Sequence, residues 1–234
     1  MHRRDFHFAT AGVLTSLLLT IPRQAMALNL AGLSNAEAAQ GLKGALEAGA
    51  IAAVSLLGKP DGFLGNPKVR IGLPGSLDDA AKLMRMLGQG KRIDALITSM
   101  NRAAEAAVPM ARDMLVGAVK TITVTDARNI LIGGDTSVTD FFASRTRAPL
   151  RLKFLPVVTQ VVKGSSLTAQ YNELAGKAAG MGLMRKEDAN VQTYVTARAL
   201  DGLYLMIGDE EKKIRGNPLG AGSAVVRKVF GALK

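Results

Sequence analysis

Cysteine and tryptophan are absent from the 234-residue chain, and histidine occurs only twice, as His2 and His7. Without cysteine there is no disulfide framework, no thiolate nucleophile and no lipid-bearing cysteine anchor. Both histidines fall within Met1 to Ala27, a stretch that reads as a cleaved export signal. Its removal leaves a chain without imidazole. That excludes Ser-His-Asp and Cys-His nucleophile systems, histidine bases, and the usual zinc, copper and haem ligand sets. Aromatic residues make up 4% of the chain, too few for the stacking platforms of single-strand nucleic-acid binders. An Asp-x-Asp-x-Asp-Gly calcium loop, a Walker lysine motif and a Gly-x-Gly-x-x-Gly turn are missing too. From the residues, no metal and no cofactor is expected.

The export signal is built in three parts. Arg3 and Arg4 charge its start, an apolar run extends from Phe8 to Ile21, and the tail closes on the small residues Ala25 and Ala27 around Met26. Small-x-small suits signal peptidase, and the apolar run is shorter than the ~18 residues a membrane span needs. Arg3-Arg4-Asp5-Phe6 resembles the twin-arginine export signature, in which Arg-Arg-x-Phe precedes a modestly apolar stretch. The expected organisation is a signal over 1–27 and one all-helical domain over 28–234, working in the periplasm.

Charge is plentiful and one-sided. The chain has 30 basic and 19 acidic residues, a formal charge of +11 and a pI near 10.1. Loss of Arg3, Arg4, Arg23 and Asp5 with the signal leaves 27 basic against 18 acidic residues, or +9. Such a surface attracts anions, so anionic envelope components or a small ligand are the expected partners. Lysine and arginine are scattered along the whole chain, seldom more than two together, which argues against nucleic acid.

Apolar residues recur at helical spacing nearly everywhere, which predicts a compact all-α bundle of roughly eight or nine helices. Ser34 and Glu37 form a capping box before a stripe of Leu42, Leu46, Ala50 and Val54 that stops at Gly58. Ser76 with Asp79 is expected to open a second helix ending at Gly88. A third runs from about Lys91 to a break or kink at Pro109, and its continuation reaches roughly Thr121. Thr123 with Asp126 caps a short helix closed by Gly133-Gly134, and Asp135 or Thr136 caps the next. Pro149 is expected to begin another helix, Ser165 or Ser166 a further one, and Asp188 or Asn190 the longest, with a short last helix over 223–230. Between Gly58 and Ser76 lies one long Gly/Pro-rich loop, punctuated by Pro60, Pro67 and Pro74, with a possible short strand over Lys68–Ile71.

Two groups of polar residues are candidate binding sites. Asn101, Arg102 and Glu105 share one helical face by their spacings of three and four, flanked by alanines that admit a close neighbour. A salt bridge fixing helix register is the plainer account of them. Lys59, Asp61 and Asn66 sit in the long loop and could ring a polar mouth around Phe63, or simply supply turn chemistry. Arg198 and Asp201, three apart on the longest helix, read as a structural pair. No catalytic residue is identified.

The segments 58–67, 99–109 and 133–135 are similar to those of the exported bacterial proteins grouped as domain of unknown function 4197. So are Leu174-Ala175-Gly176-Lys177, Lys186-Glu187-Asp188-Ala189-Asn190 and Ala199-Leu200-Asp201-Gly202-Leu203. The resemblance spans about Leu33 to Phe230 and implies a helical, exported protein with no assigned activity. The function expected from the residues is a periplasmic binding or interaction protein of unknown ligand, with no catalytic chemistry identified. One alternative is a hydrolase or lyase that uses carboxylates, Glu105 above all, on cell-wall glycan. Another is a structural or chaperone-like envelope protein.

Overall fold

The computed structural model describes residues 35–134, 137–163 and 166–217. The signal stretch 1–27 with Arg3, Arg4, Phe6, Ala25 and Ala27, the caps at Ser34 and Asp135/Thr136, and the expected last helix lie outside the described residues. Within them the chain is all-α, with no strand. Residues 67–69 form a turn and 70–74 have no regular secondary structure, so the possible strand at Lys68–Ile71 is absent.

The described residues form six continuous helical runs rather than eight or nine. The first is α1 (Asn35–Leu57). The second covers 75–120 and comprises α2a (Gly75–Met84), a π-helical turn (Arg85–Gln89), α2b (Gly90–Ala107), a 3-10 turn (Val108–Ala111) and α2c (Arg112–Lys120). Then come α3 (Val124–Ile132), α4 (Ser137–Val162), α5 (Ser166–Gly180) and α6 (Val191–Gly216). Two expected interruptions bring no intervening loop, yet each marks a change in the helix. Leu87 and Gly88, the latter at φ 80°, leave helical φ/ψ and kink the chain, so the helix that starts at α2a ends there as expected, and α2b begins at Gly90. Pro109 falls in the first turn of the 3-10 segment, where the missing N–H is not needed.

Pro149 is a third correction, because it lies inside α4 instead of opening a helix, as does Pro156. An interior proline costs about 3 kcal/mol. Against it stands a buried stripe of Phe142, Thr146, Leu150, Phe154, Val158 and Val162 on both sides of Pro149. Each buried Leu, Phe or Val is worth about 1.5–3 kcal/mol, so packing outweighs the lost bond. At the start of α2a Pro74 holds the N-cap position and Asp79 pairs with Lys82 at 3.0 Å, while the Ser76 side chain lies outside the described residues.

Other local signals hold. Thr123 and Asp126 form a reciprocal capping box, and Asn190 caps α6 by accepting the Thr193 N–H at 3.0 Å. Helix α5 ends in a Schellman motif: Leu183 N donates to Ala178 O at 2.9 Å and Gly182, at φ 73°, to Ala179 O at 3.1 Å. Helix α6 is packed by α4, α1 and α2b. Its Val195, Ala199, Leu203 and Tyr204 are almost fully buried, and they sit at the centre of one continuous core with Leu42, Leu46, Met100, Phe142 and Phe154.

Candidate functional site

The loop between α1 and α2a is held against the middle of α2b by the polar residues singled out in the sequence. Glu105 is buried, and its Oε1 accepts the backbone N–H groups of Phe63 at 3.0 Å and Leu64 at 3.1 Å. Its Oε2 accepts from Arg102 Nη1 at 2.6 Å, while Arg102 Nη2 reaches Asp61 Oδ1 at 2.8 Å. The bonds to Glu105, and then those to Asp61, hold the Arg102 guanidinium above its ordinary range. Asn101, fully buried, treats Ile71 as a strand would: it accepts the Ile71 N–H and donates to the Ile71 carbonyl, both at 2.8 Å. Its amide also donates to Ile97 O at 2.7 Å.

Phe63 lines no mouth. It is fully buried, and a Cβ on Gly202 of α6 would come within 2.8 Å of its ring. Glycine at 202 is what lets the loop approach the central helix this closely. Asn66 spends its Oδ1 on the Lys68 N–H at 3.1 Å, and Lys68 bridges to Asp209 of α6 at 2.6 Å. Asp61 sits at φ 63°, a left-handed conformation tolerated by Asp. Lys59 is exposed, and it alone of the loop candidates has a side chain without a hydrogen bond or ion pair among the described residues. Six of the seven candidates thus converge on a latch that closes the chain on itself. Both oxygens of Glu105 are occupied from within, which removes the solvent-facing carboxylate that acid catalysis requires.

A different place is open. Between α4, the 3-10 turn at Lys186–Asp188 and α6 lies a cleft of about 800 Å³, lined by Arg147, Arg151, Arg185 and Arg198. Three carboxylates, Glu187, Asp188 and Asp201, face the same space. Asp201 bridges two helices: its Oδ1 takes Arg147 Nη1 at 2.8 Å and its Oδ2 takes Arg198 Nη2 at 3.2 Å. Arg185 is fixed by Asp188 through Nε at 2.8 Å and Nη2 at 2.7 Å, and by Glu187 at 3.1 Å. Asp188, first among these, holds that guanidinium above its ordinary range. Among the described residues, the Arg151 side chain has no ion pair or hydrogen bond.

Aromatic rings brace the cleft from beneath. The Arg147 guanidinium lies 5.0 Å from the Tyr204 ring centroid and that of Arg198 lies 5.7 Å from Tyr194. Burial pushes both phenols up, although the Thr146 hydroxyl, 2.9 Å from the Tyr204 hydroxyl, works the other way for Tyr204. Tyr194 donates to Gly72 O at 3.0 Å, which ties the cleft's floor to the latched loop. The Nε atom of Arg198 is buried without an acceptor.

The family model described as "Protein of unknown function (DUF4197)" matches residues 32–231. The chain belongs to this family. Neither a curated protein nor a solved structure matches it. For this DUF4197 chain, then, chemistry has to be read from its own geometry. The sequence pointed to the latch but missed the cleft. Arg147 and Arg151 carry a faint signal, two cations one helical turn apart, lost among Arg145 and Lys153 on the same helix. The pair Arg198–Asp201 was visible, but its third member Arg147 lies 54 positions away.

Proposed function

We propose that this protein is a periplasmic binding protein for anionic ligands, and that the arginine-lined cleft between α4 and α6 is its binding site. The observation that carries the reading is the set of four guanidiniums around one open cleft, of which Arg151 has no internal partner. Guanidinium forks match carboxylate and phosphate oxygens geometrically, and a low-dielectric wall strengthens each such bond. The formal charge of +9 left once residues 1–27 are removed (27 basic less 18 acidic) favours approach of anions over long range. In this reading Asn101, Arg102, Glu105, Asp61, Phe63 and Asn66 serve the site indirectly, by locking the loop that carries Gly72 beneath Tyr194. Lys59 remains the one loop candidate available to a partner.

Export supports the same reading. Arg3, Arg4 and Phe6 would direct the chain across the membrane, cleavage after Ala27 would release it, and no described helix is long and apolar enough to cross a membrane. The alternative of a purely structural envelope protein calls for an apolar groove and no polar cavity. The groove between α2a, α2b and α5, around Leu77, Met84 and Leu174, holds only about 50 Å³, far below the 300–1,000 Å³ common for small-molecule sites.

Thermal unfolding of the processed chain in phosphate and in citrate, against chloride at matched ionic strength, tests the reading. Either multivalent anion is expected to raise Tm by a few degrees. An Arg147→Ala, Arg151→Ala double variant should lose that rise. An equal rise in the variant would place the anion elsewhere and defeat the assignment.

A further inference from the structure

We infer that the cleft takes a phosphomonoester-type head carried on an apolar body, and that Asp201 occupies the place of that head until the ligand arrives. The inference rests on the anion-binding reading above and adds a head group and a gate. Asp201 offers one oxygen to Arg147 at 2.8 Å and the other to Arg198 at 3.2 Å, so one internal oxyanion already spans α4 and α6. An incoming oxyanion meets the same two donors by displacing it. Arg151 lies one turn beyond Arg147 on the same helix, lines the same cleft and has no partner. A carboxylate has two oxygens and would satisfy Arg147 and Arg198 alone. A phosphomonoester has three terminal oxygens and accommodates the third guanidinium as well.

The body follows from the walls. Leu152, 75% exposed, stands at the cleft with Ala143 and Leu200, an apolar side next to the cationic one. Charge balance points the same way. With Asp201 in place, four guanidiniums face three carboxylates, room for one negative charge; with Asp201 swung aside, there is room for the two of a phosphomonoester. Space for that swing exists, because Asp201 also lines an adjoining hollow of about 300 Å³ together with Thr139 and Lys212.

Titration calorimetry at low salt, with inorganic phosphate, n-octyl phosphate, octanoate and vesicles containing phosphatidic acid, tests this. The unmodified chain is expected to bind octyl phosphate more tightly than inorganic phosphate, which lacks the body, or octanoate, which lacks the third oxygen. Asp201→Asn, which keeps the shape and removes the competing charge, should tighten octyl phosphate binding by on the order of tenfold. Arg151→Gln alters a side chain with no hydrogen bond or ion pair among the described residues and should reduce octyl phosphate to the level of octanoate. Binding to the vesicles as well as to octyl phosphate would make a lipid headgroup the source; binding to octyl phosphate with silent vesicles would make it a soluble phosphomonoester. Unchanged or weaker binding by a folded Asp201→Asn variant overturns the gate. Equal affinity for octanoate and octyl phosphate overturns the head group. If no anion binds any of the three chains, the anion-binding reading itself falls.

Discussion

Glu105 receives three donors on two oxygens from a position only 4% exposed. Replacing it by glutamine keeps the volume but takes a formal negative charge away from Arg102 and weakens the acceptor for two backbone N–H groups. Glu105→Gln is therefore expected to lower unfolding free energy by about 2–3 kcal/mol. Urea denaturation measures this, and a loss under ~0.5 kcal/mol, the usual size of a surface change, would mean the latch contributes little. The spacing of Asn101, Arg102 and Glu105 made their shared face legible in the sequence. Their partners were not legible. Side chains that bind the backbone of Phe63, Leu64 and Ile71 from 30 to 42 positions away leave no periodic trace. Phe63 was misplaced for a related reason: a lone aromatic among turn residues looks exposed until Gly202 is known to lie opposite it.

Among the elements, α3 shows how much a local signal can fix. Thr123 and Asp126 satisfy each other, and the Thr123 N–H, then its hydroxyl, hold the Asp126 carboxyl below its ordinary value of 3.8, with Arg145 adding to the effect. Because the folded value is the lower one, the cap contributes fully above pH 3.8 and fades as pH falls through the folded value. Asp126→Asn is expected to cost about 0.5–1 kcal/mol at neutral pH. The gap between variant and parent in urea should narrow progressively below pH 3.8. A gap that stays constant, or widens in acid, would show that the carboxylate is not what stabilises the cap. Capping boxes are legible because both partners lie within four residues. The continuity of α4 through Pro149 and Pro156 was not, since it depends on Leu150, Phe154 and Val158 finding buried neighbours elsewhere in the chain. The helix count is lower because α2a, α2b and α2c follow one another without a loop: Gly88 only kinks the chain between the first two, and the buried Val108 and Ala111 hold the 3-10 turn that contains Pro109.

For the whole molecule, fold class and open site differ in kind. An all-α architecture follows from apolar periodicity repeated in every segment, so it is visible without coordinates. The cleft is assembled from α4, the turn before α6 and α6 itself, brought together only by folding. Its arginines resemble any solvated cation until their shared space is seen. The latch and the cleft then read as one arrangement: the loop docks on α2b, Gly72 supports Tyr194, and Tyr194 lies under Arg198. Backbone amide chemical-shift mapping by NMR, with phosphate titrated into the isotopically labelled processed chain, tests the central claim most directly. Perturbations are predicted to concentrate at 143–152, 185–188 and 193–201, with the 58–74 loop little changed. Perturbations centred on the loop around Lys59, or spread evenly over the basic surface, would contradict a specific anion site in the cleft.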